Sequence, residues 1–264
     1  MPKYTTQLYK EVGWRKTKEG RFYERMMNNK GFLGKLYKKT FHSPVYVDID
    51  NEFLKRLRLI NSNLAILDIG GNIGSFESSE IRSILNKHKY MRLDIDPETK
   101  PDILGDARKI PLDSNSIDFV IAKSLFEHIT EPWKSINEIN RILKPNGILY
   151  FHMPFLLRVH ASPNDYYRFT EDGLKYHLKK FNNVRIYPRG GYVTTLESII
   201  FTGTYFLDRF FGLGFAIRCL LYPIFSIMVK LDKFDKYNLC TIGYYGFAGK
   251  GLKEVKSDIS CSSL

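Results

Sequence analysis

The sequence predicts an α/β fold, a mostly parallel sheet of seven strands with helices on both faces. From Leu64 onward, short apolar runs alternate with segments of helical periodicity. The runs are continuous rather than alternating, as expected of parallel strands buried on both faces. The first of them leads directly into a glycine-rich turn and then a helix. With 264 residues, 44% hydrophobic and 26% charged, the chain can hold one large domain and an appendage, and general disorder is excluded.

The elements follow in order. Residues 1–60 are basic and aromatic, broken by Gly13, Gly20, Gly31 and Gly34, and read as a helical arm; Asp50 and Asn51 suit the cap of a helix through Leu54, Leu57 and Ile60. A core of 61–195 and 236–252 comes next, split by an apolar helical insertion at 196–235. In the core, Leu64–Ile69 is the first strand and Ser75–Lys87 a helix facing inward with Phe76, Ile81, Ile84 and Leu85. Tyr90–Ile95, Asp102–Leu104 and Ile117–Ala122 are the next strands. A helix starts at Pro132, where a missing N–H costs nothing, and Pro145-Asn146-Gly147 stops it before a fifth strand, Ile148–Met153. Thr170 with Glu171 and Asp172 starts another helix. Val184–Tyr187 and Thr241–Ala248 complete the sheet.

The net charge is +12, and 14 Lys/Arg against 6 Asp/Glu lie in the first 60 residues. Such a surface attracts nucleic acid, anionic lipid or a phosphorylated acceptor, or is simply a solvated arm. Cys219, Cys240 and Cys261 have neither disulfide nor zinc spacing and suit a reducing compartment. No apolar segment follows Lys3, Lys10, Arg15 and Lys16, so a cytoplasmic protein is expected.

The chemistry concentrates in LAILDIGGNIGSF, Leu64 to Phe76. Gly70, Gly71 and Gly74 permit backbone conformations and close approach that a Cβ blocks. Ligands of open α/β sheets bind beyond the carboxyl ends of the strands, where this Rossmann-like turn lies. A dinucleotide fingerprint begun at Gly70 would need glycines where Asn72 and Ser75 stand, and no P-loop string occurs. Asp68 lies two residues before the first glycine instead. A carboxylate there organises the turn and suits a cationic ligand such as the amino group or sulfonium of S-adenosylmethionine, whereas it would repel a pyrophosphate. Asp94, closing the second strand, can accept from both ribose hydroxyls, with Asp96 as its near rival. Asp106-Ala107 follows the third strand, placed for an adenine amino group.

In their succession, LDIGGNIG, LDIDP, GDARKIPLDSNSIDFVIAKSLFEHI, EPWKSINEINRILKPNGILYFHMPF and HASPNDYYRFTEDGL resemble the class I S-adenosylmethionine-dependent methyltransferases, in the small-molecule branch that includes quinone and glycan methyltransferases. The resemblance covers a little under half the chain, about Leu64 to Phe181. It implies S-adenosyl-L-methionine as cofactor, with contacts falling on Asp68, Gly70, Gly74, Asp94, Asp106 and Ala107. Gly71, Asn72, Ile95 and Ser124 adjoin these positions and complete the expected cofactor site. Asn72 stands where the family often has glycine, and Asn tolerates left-handed backbone better than most residues.

The expected activity is methyl transfer to a small-molecule, glycan or lipid-linked acceptor, at oxygen. In-line displacement at an activated carbon needs alignment, and a base only if the acceptor must lose a proton. No nucleophile or metal is required, and none is expected. His128 and His160 are the candidate bases, because imidazole exchanges protons near neutral pH; His152 reads as structural. In the loop from His160 to Thr170, Asp165, Tyr167 and Arg168 are the candidate acceptor contacts. Arg168 either holds an anionic acceptor group or pairs with Asp165 to pin the loop. Two alternatives stand beside the enzyme: a catalytically idle S-adenosylmethionine-binding module acting through a partner, and a nucleic-acid methyltransferase. Against the latter, Ala122-Lys123-Ser124 replaces the Asn/Asp-Pro-Pro-aromatic string of base amino methyltransferases.

In the insertion, Glu197, Asp208, Arg209, Arg218 and Lys230 interrupt every long apolar run and Pro223 breaks the last, which disfavours a membrane-spanning helix. The segment either lies in the interface on the inner face of the membrane, aided by the basic arm, or forms a cap or dimer contact.

Overall fold

The computed structural model describes residues 21–22, 25–26, 28–41, 63–71, 79–160, 164–235, 237 and 239–251. Among them, seven strands form one sheet: β1 (Ala65–Ile69), β2 (Lys89–Asp94), β3 (Ile103–Leu104), β4 (Ile117–Lys123), β5 (Leu143–Pro154), β6 (Asn182–Pro188) and β7 (Gly243–Gly249). Their order is β3-β2-β1-β4-β5-β7-β6. The first five run parallel, and β7 is antiparallel to both β5 and β6. The order reverses between β1 and β4, so the ligand crevice of such a sheet lies beyond the carboxyl ends of these two strands.

The period of two along each strand builds two cores. Ile66, Phe119, Ile121 and Tyr150 face one side, where α2 (Ser79–Leu85) contributes Ile81 and Leu85. Leu67, Ile69, Val120, Leu149 and Phe151 face the other. There they meet Ile136 and Ile139 of α3 (Pro132–Ile142) and Leu174 of α4 (Glu171–His177). Thr170 caps α4 by accepting from the Gly173 N–H, with Glu171 and Asp172 in its first turn, as its sequence predicts. Of the helix expected at Ser75–Lys87, residues 75–78 lie outside the described residues, as do the start expected at Asp50 and Asn51, and Cys261.

The fifth strand departs from its expected bounds. It begins at Leu143, directly after α3, and carries Pro145-Asn146-Gly147 inside it. The tripeptide makes an irregularity rather than a stop: Asn146 takes φ +67°, and the register against β4 shifts between Ile117 and Phe119. Lys144 Nζ holds Asp118 at 2.9 Å, and Asp118 Oδ2 accepts from the Ala65 N–H, so β1, β4 and β5 are joined at their entry ends.

The insertion opens with α5 (Tyr192–Gly203), four residues earlier than expected, followed by a 3₁₀ segment (Tyr205–Arg209), α6 (Leu213–Met228) and a second 3₁₀ segment (Val229–Phe234). Asp232, near its end, returns to its beginning and accepts from the N–H groups of Gly191, Val193 and Thr194 at 2.8–3.0 Å. A carboxylate at that position satisfies orphan amides and opposes the positive end of the helix dipole. Pro223 does not break α6, which runs through it. Leu213–Phe234 is one 22-residue helical run whose most apolar 18 residues have mean hydropathy 1.6, long and apolar enough to cross a membrane by length and composition.

Two charges that interrupt the apolar runs turn inward: Arg218 and Asp208 are both buried and pair at 2.7 Å. The guanidinium lies 4.6 Å from the Tyr205 ring centroid and 5.5 Å from that of Tyr37. Tyr37 belongs to α1 (Phe32–Phe41), so the basic arm packs on α6. Leu213, Leu220, Ile224, Ile227, Leu231 and Phe234 recur at helical spacing on the opposite face and are exposed, Leu220 at 73% and Ile227 at 68%. Cys219 and Cys240 are free thiols.

Candidate active site

Asp68 sits beneath the turn that follows β1, 1% exposed. Tyr90 of β2 donates its hydroxyl to Asp68 Oδ2 at 2.7 Å. Burial pushes the Asp68 carboxyl up to about 6, against the pull of that hydrogen bond. Burial, and then the neighbouring carboxylate, likewise raises the Tyr90 phenol, which stays protonated and able to donate. Gly70 takes φ +71° and gives its N–H to Leu93 O at 2.8 Å, locking the turn to β2. A Cβ on Gly71 would come within 2.2 Å of Asp68 Oδ2, so only glycine lets the turn close over the acid. Asp68 therefore shapes the turn from below. Asn72 and Gly74 lie outside the described residues.

Asp94 ends β2 with its carboxylate half-buried; Oδ1 accepts from the Asp96 N–H at 2.9 Å. A carboxylate has about four lone-pair directions, which leaves capacity for two ribose hydroxyls. Its rival Asp96 is committed elsewhere, capping the 3₁₀ turn Pro97–Thr99 through the Glu98 N–H. Ile95 is an exposed aliphatic side chain beside Asp94, the surface a flat base needs to stack on. Ala107 is buried in the core. Asp106 is engaged by a neighbour two residues on: Arg108 reaches both carboxylate oxygens at 2.6–3.1 Å and holds the group below the ordinary carboxylate range. These positions suit an adenosine-bearing cation: a glycine cradle that a Cβ would fill, a carboxylate at the strand end and an apolar platform beside it.

Ser124 closes β4 in left-handed backbone, φ +49°, a conformation that costs a non-glycine residue energy and concentrates at functional positions. Its Oγ lies 2.9 Å from Nδ1 of His152, whose Nε2 lies 2.6 Å from Arg189 Nη1. A guanidinium only donates, so Nε2 accepts, and His152 Nδ1–H donates to Ser124. Burial and then Arg189 hold His152 well below its ordinary value, which keeps it neutral. Ser124 thereby has its acceptor side satisfied and its own proton directed elsewhere. No spacing in the sequence pointed to Arg189.

The two candidate bases come together. His128 ends a 3₁₀ turn (Phe126–His128) after β4, and His160 lies in the β5–α4 loop; their ring centroids are 5.3 Å apart. His128 Nδ1 is 2.6 Å from Asn164 O. The Tyr166 N–H donates to Glu127 O at 2.7 Å and Tyr167 Oη to Thr130 O at 2.9 Å, so the loop is stitched to the turn. Tyr167 also stacks on Phe169. Arg168 forms a two-pronged ion pair with Asp165, as in the loop-pinning alternative. Burial disfavours the Asp165 charge, but Arg168 and the His160 N–H outweigh it and hold the carboxyl low. The side chain between the two histidines is Glu127, which no sequence pattern singles out. It is fully buried, with Oε1 3.7 Å from Nε2 of both His128 and His160.

A sheet ordered 3-2-1-4-5-7-6 with a glycine turn after β1 and an acid closing β2 defines the class I methyltransferase fold. The family model described as "Methyltransferase domain" matches residues 29–151, which contain β1 to β4 and the cofactor positions. The match takes in a little under half of the chain, and the strand order carries the same class I methyltransferase fold across all seven strands. The chain is similar in structure to phosphoethanolamine N-methyltransferase 2 of Haemonchus contortus, solved with S-adenosyl-L-methionine, at 17% identity and a TM-score of 0.52, over 96% of this chain and 62% of that one. It is also similar to a SAM-dependent methyltransferase from Archaeoglobus fulgidus, at 13% identity and a TM-score of 0.51, over 81% of this chain and 98% of that one. In sequence, 98 residues are 24% identical to an uncharacterized methyltransferase of Mycolicibacterium gilvum, over 33% of this chain and 37% of the relative. These matches thus span well under two thirds of the Mycolicibacterium relative and just under two thirds of the Haemonchus enzyme.

Proposed function

We propose that this chain transfers a methyl group from S-adenosyl-L-methionine to an oxygen of a lipid-linked or otherwise amphiphilic acceptor, working as a peripheral protein at an anionic membrane surface. The observation that carries the membrane part is the inverted polarity of α6: its arginine is buried against Asp208 while Leu220, Ile224, Ile227 and Leu231 face outward. A soluble monomer rarely leaves a contiguous apolar stripe uncovered. Arg21, Arg25, Lys30 and Lys35 of the adjoining arm are exposed, so cations and apolar surface, the two signals of stable interfacial binding, occur on one unit.

Co-sedimentation with vesicles tests this. The chain should pellet with vesicles containing anionic lipid at low salt and be released as salt rises. The double variant Leu220→Glu/Ile227→Glu should stay in the supernatant while binding S-adenosylhomocysteine as before. Absence of binding to any vesicle at low salt, with a dimer abolished by the same double variant, would make the stripe a contact between copies. An idle module would bind the cofactor product yet methylate no lipid-linked, glycan or quinone-like acceptor.

A further inference from the structure

Glu127 presents a problem that methyl transfer does not explain. Its side chain has no exposure, and neither carboxylate oxygen has a hydrogen-bond partner. A buried carboxylate without donors or a counter-charge costs several kcal/mol as an order of magnitude. Nε2 of His128 and Nε2 of His160 each lie 3.7 Å from Oε1, beyond hydrogen-bond length, and the nearest fixed positive charge is the Arg168 guanidinium, which is committed to Asp165.

The outer nitrogens of both rings meet oxygen acceptors. His128 Nδ1 lies 2.6 Å from Asn164 O; His160 Nδ1 lies 3.3 Å from Arg158 O and 3.5 Å from Asp165 Oδ2. Protons on these outer nitrogens leave the two Nε2 lone pairs aimed at the carboxylate. Three lone-pair donors therefore converge, all within 4.8 Å of one another, with no donor among them. A single cation among them would satisfy all three at once.

We propose that Glu127, His128 and His160 form a binding site for one divalent transition-metal ion at the carboxyl edge of β4. An ion with bonds of ~2.1 Å sets tetrahedral ligand atoms ~3.4 Å apart, so the observed separations need only a small inward movement. Two imidazoles and one carboxylate suit zinc, cobalt, iron or manganese better than calcium or magnesium. The outer acceptors are the partners that orient metal-bound histidines, Asp165 being the carboxylate behind His160 and itself held by Arg168. Three protein ligands leave open positions on the ion, and these take an oxygen of the methyl acceptor; this last clause rests on the methyl-transfer reading, whereas the metal site does not.

Cobalt(II) titration of the full chain, stripped of metal by chelator, tests the site by visible absorption. S-Adenosylhomocysteine binding is measured on the same samples. The wild-type chain should develop d–d bands that saturate at one equivalent. Glu127→Gln and His160→Ala should each weaken cobalt binding at least about tenfold while still binding S-adenosylhomocysteine, which shows them folded. Wild-type protein that binds S-adenosylhomocysteine but neither cobalt nor zinc overturns the metal site and leaves the methyltransferase reading intact. So does cobalt binding that both substitutions leave unchanged. Cobalt saturation lost in both variants, without S-adenosylhomocysteine binding by the wild type, upholds the metal site and removes the cofactor reading instead.

Discussion

Replacing Asp68 by asparagine should stabilise the protein at neutral pH. The carboxyl is buried under the glycine turn, and burial raises it from 3.8 to about 6. Between those two values the folded chain holds a proton that the unfolded chain has released, so stability falls as pH climbs from about 4 to about 6 and is level above about 7. The difference corresponds to about 3 kcal/mol of cost at pH 8, falling to about 1 kcal/mol at pH 4.5. Asparagine keeps an oxygen for the Tyr90 hydroxyl and removes the charge; its new N–H₂ needs an acceptor, which reduces the gain to about 1–3 kcal/mol. Urea unfolding of wild type and Asp68→Asn at pH 8 and pH 4.5 measures this. The variant's advantage should be larger at pH 8 by up to about 2 kcal/mol. An equal advantage at both pH values, or a loss at pH 8, refutes the claim that desolvation dominates at Asp68.

Two further substitutions probe the insertion. Arg218→Ala leaves Asp208 charged and buried and should cost about 3–5 kcal/mol in chemical denaturation, with much of the loss recovered by also changing Asp208 to leucine. Asp232→Ala strips three backbone amides of their acceptor; it should cost about 1–2 kcal/mol and speed hydrogen exchange at Gly191, Val193 and Thr194, with the amides of β1 and β4 unchanged.

The sheet was legible because its strands are buried on both faces: Leu64–Ile69 and Ile117–Ala122 are apolar runs that only a sheet interior accommodates. The start of β5 was not, because Pro145-Asn146-Gly147 carries the composition of a turn, whereas here pairing of Leu143 with Ile117 and of Lys144 with Asp118 extends the strand past it. In the insertion, Arg218 and Asp208 counted in sequence as interruptions of apolar runs. Their pairing across a bend turns both inward and leaves the apolar residues outside, a reversal that no local pattern displays. The cofactor positions Asp68, Gly70 and Asp94 follow from strand ends and turn chemistry, which are local. Arg108 on Asp106 was within reach of a spacing argument, since side chains two apart across a tight turn meet. Glu127 was not: its partner His160 comes from a different loop, beyond β5, and a metal-ligand spacing exists only once β4 and β5 lie side by side.

The central claim is that the turn at Asp68–Gly71 together with Asp94 holds S-adenosylmethionine. Calorimetric titration of the purified chain with S-adenosylhomocysteine, beside Asp94→Ala, tests it most directly. The account predicts one binding site in the wild type and affinity lower by about 10- to 100-fold in the variant, the loss of charge-assisted hydrogen bonds to the ribose. A wild-type chain that binds no S-adenosylhomocysteine, or a variant that binds it equally well, contradicts the account.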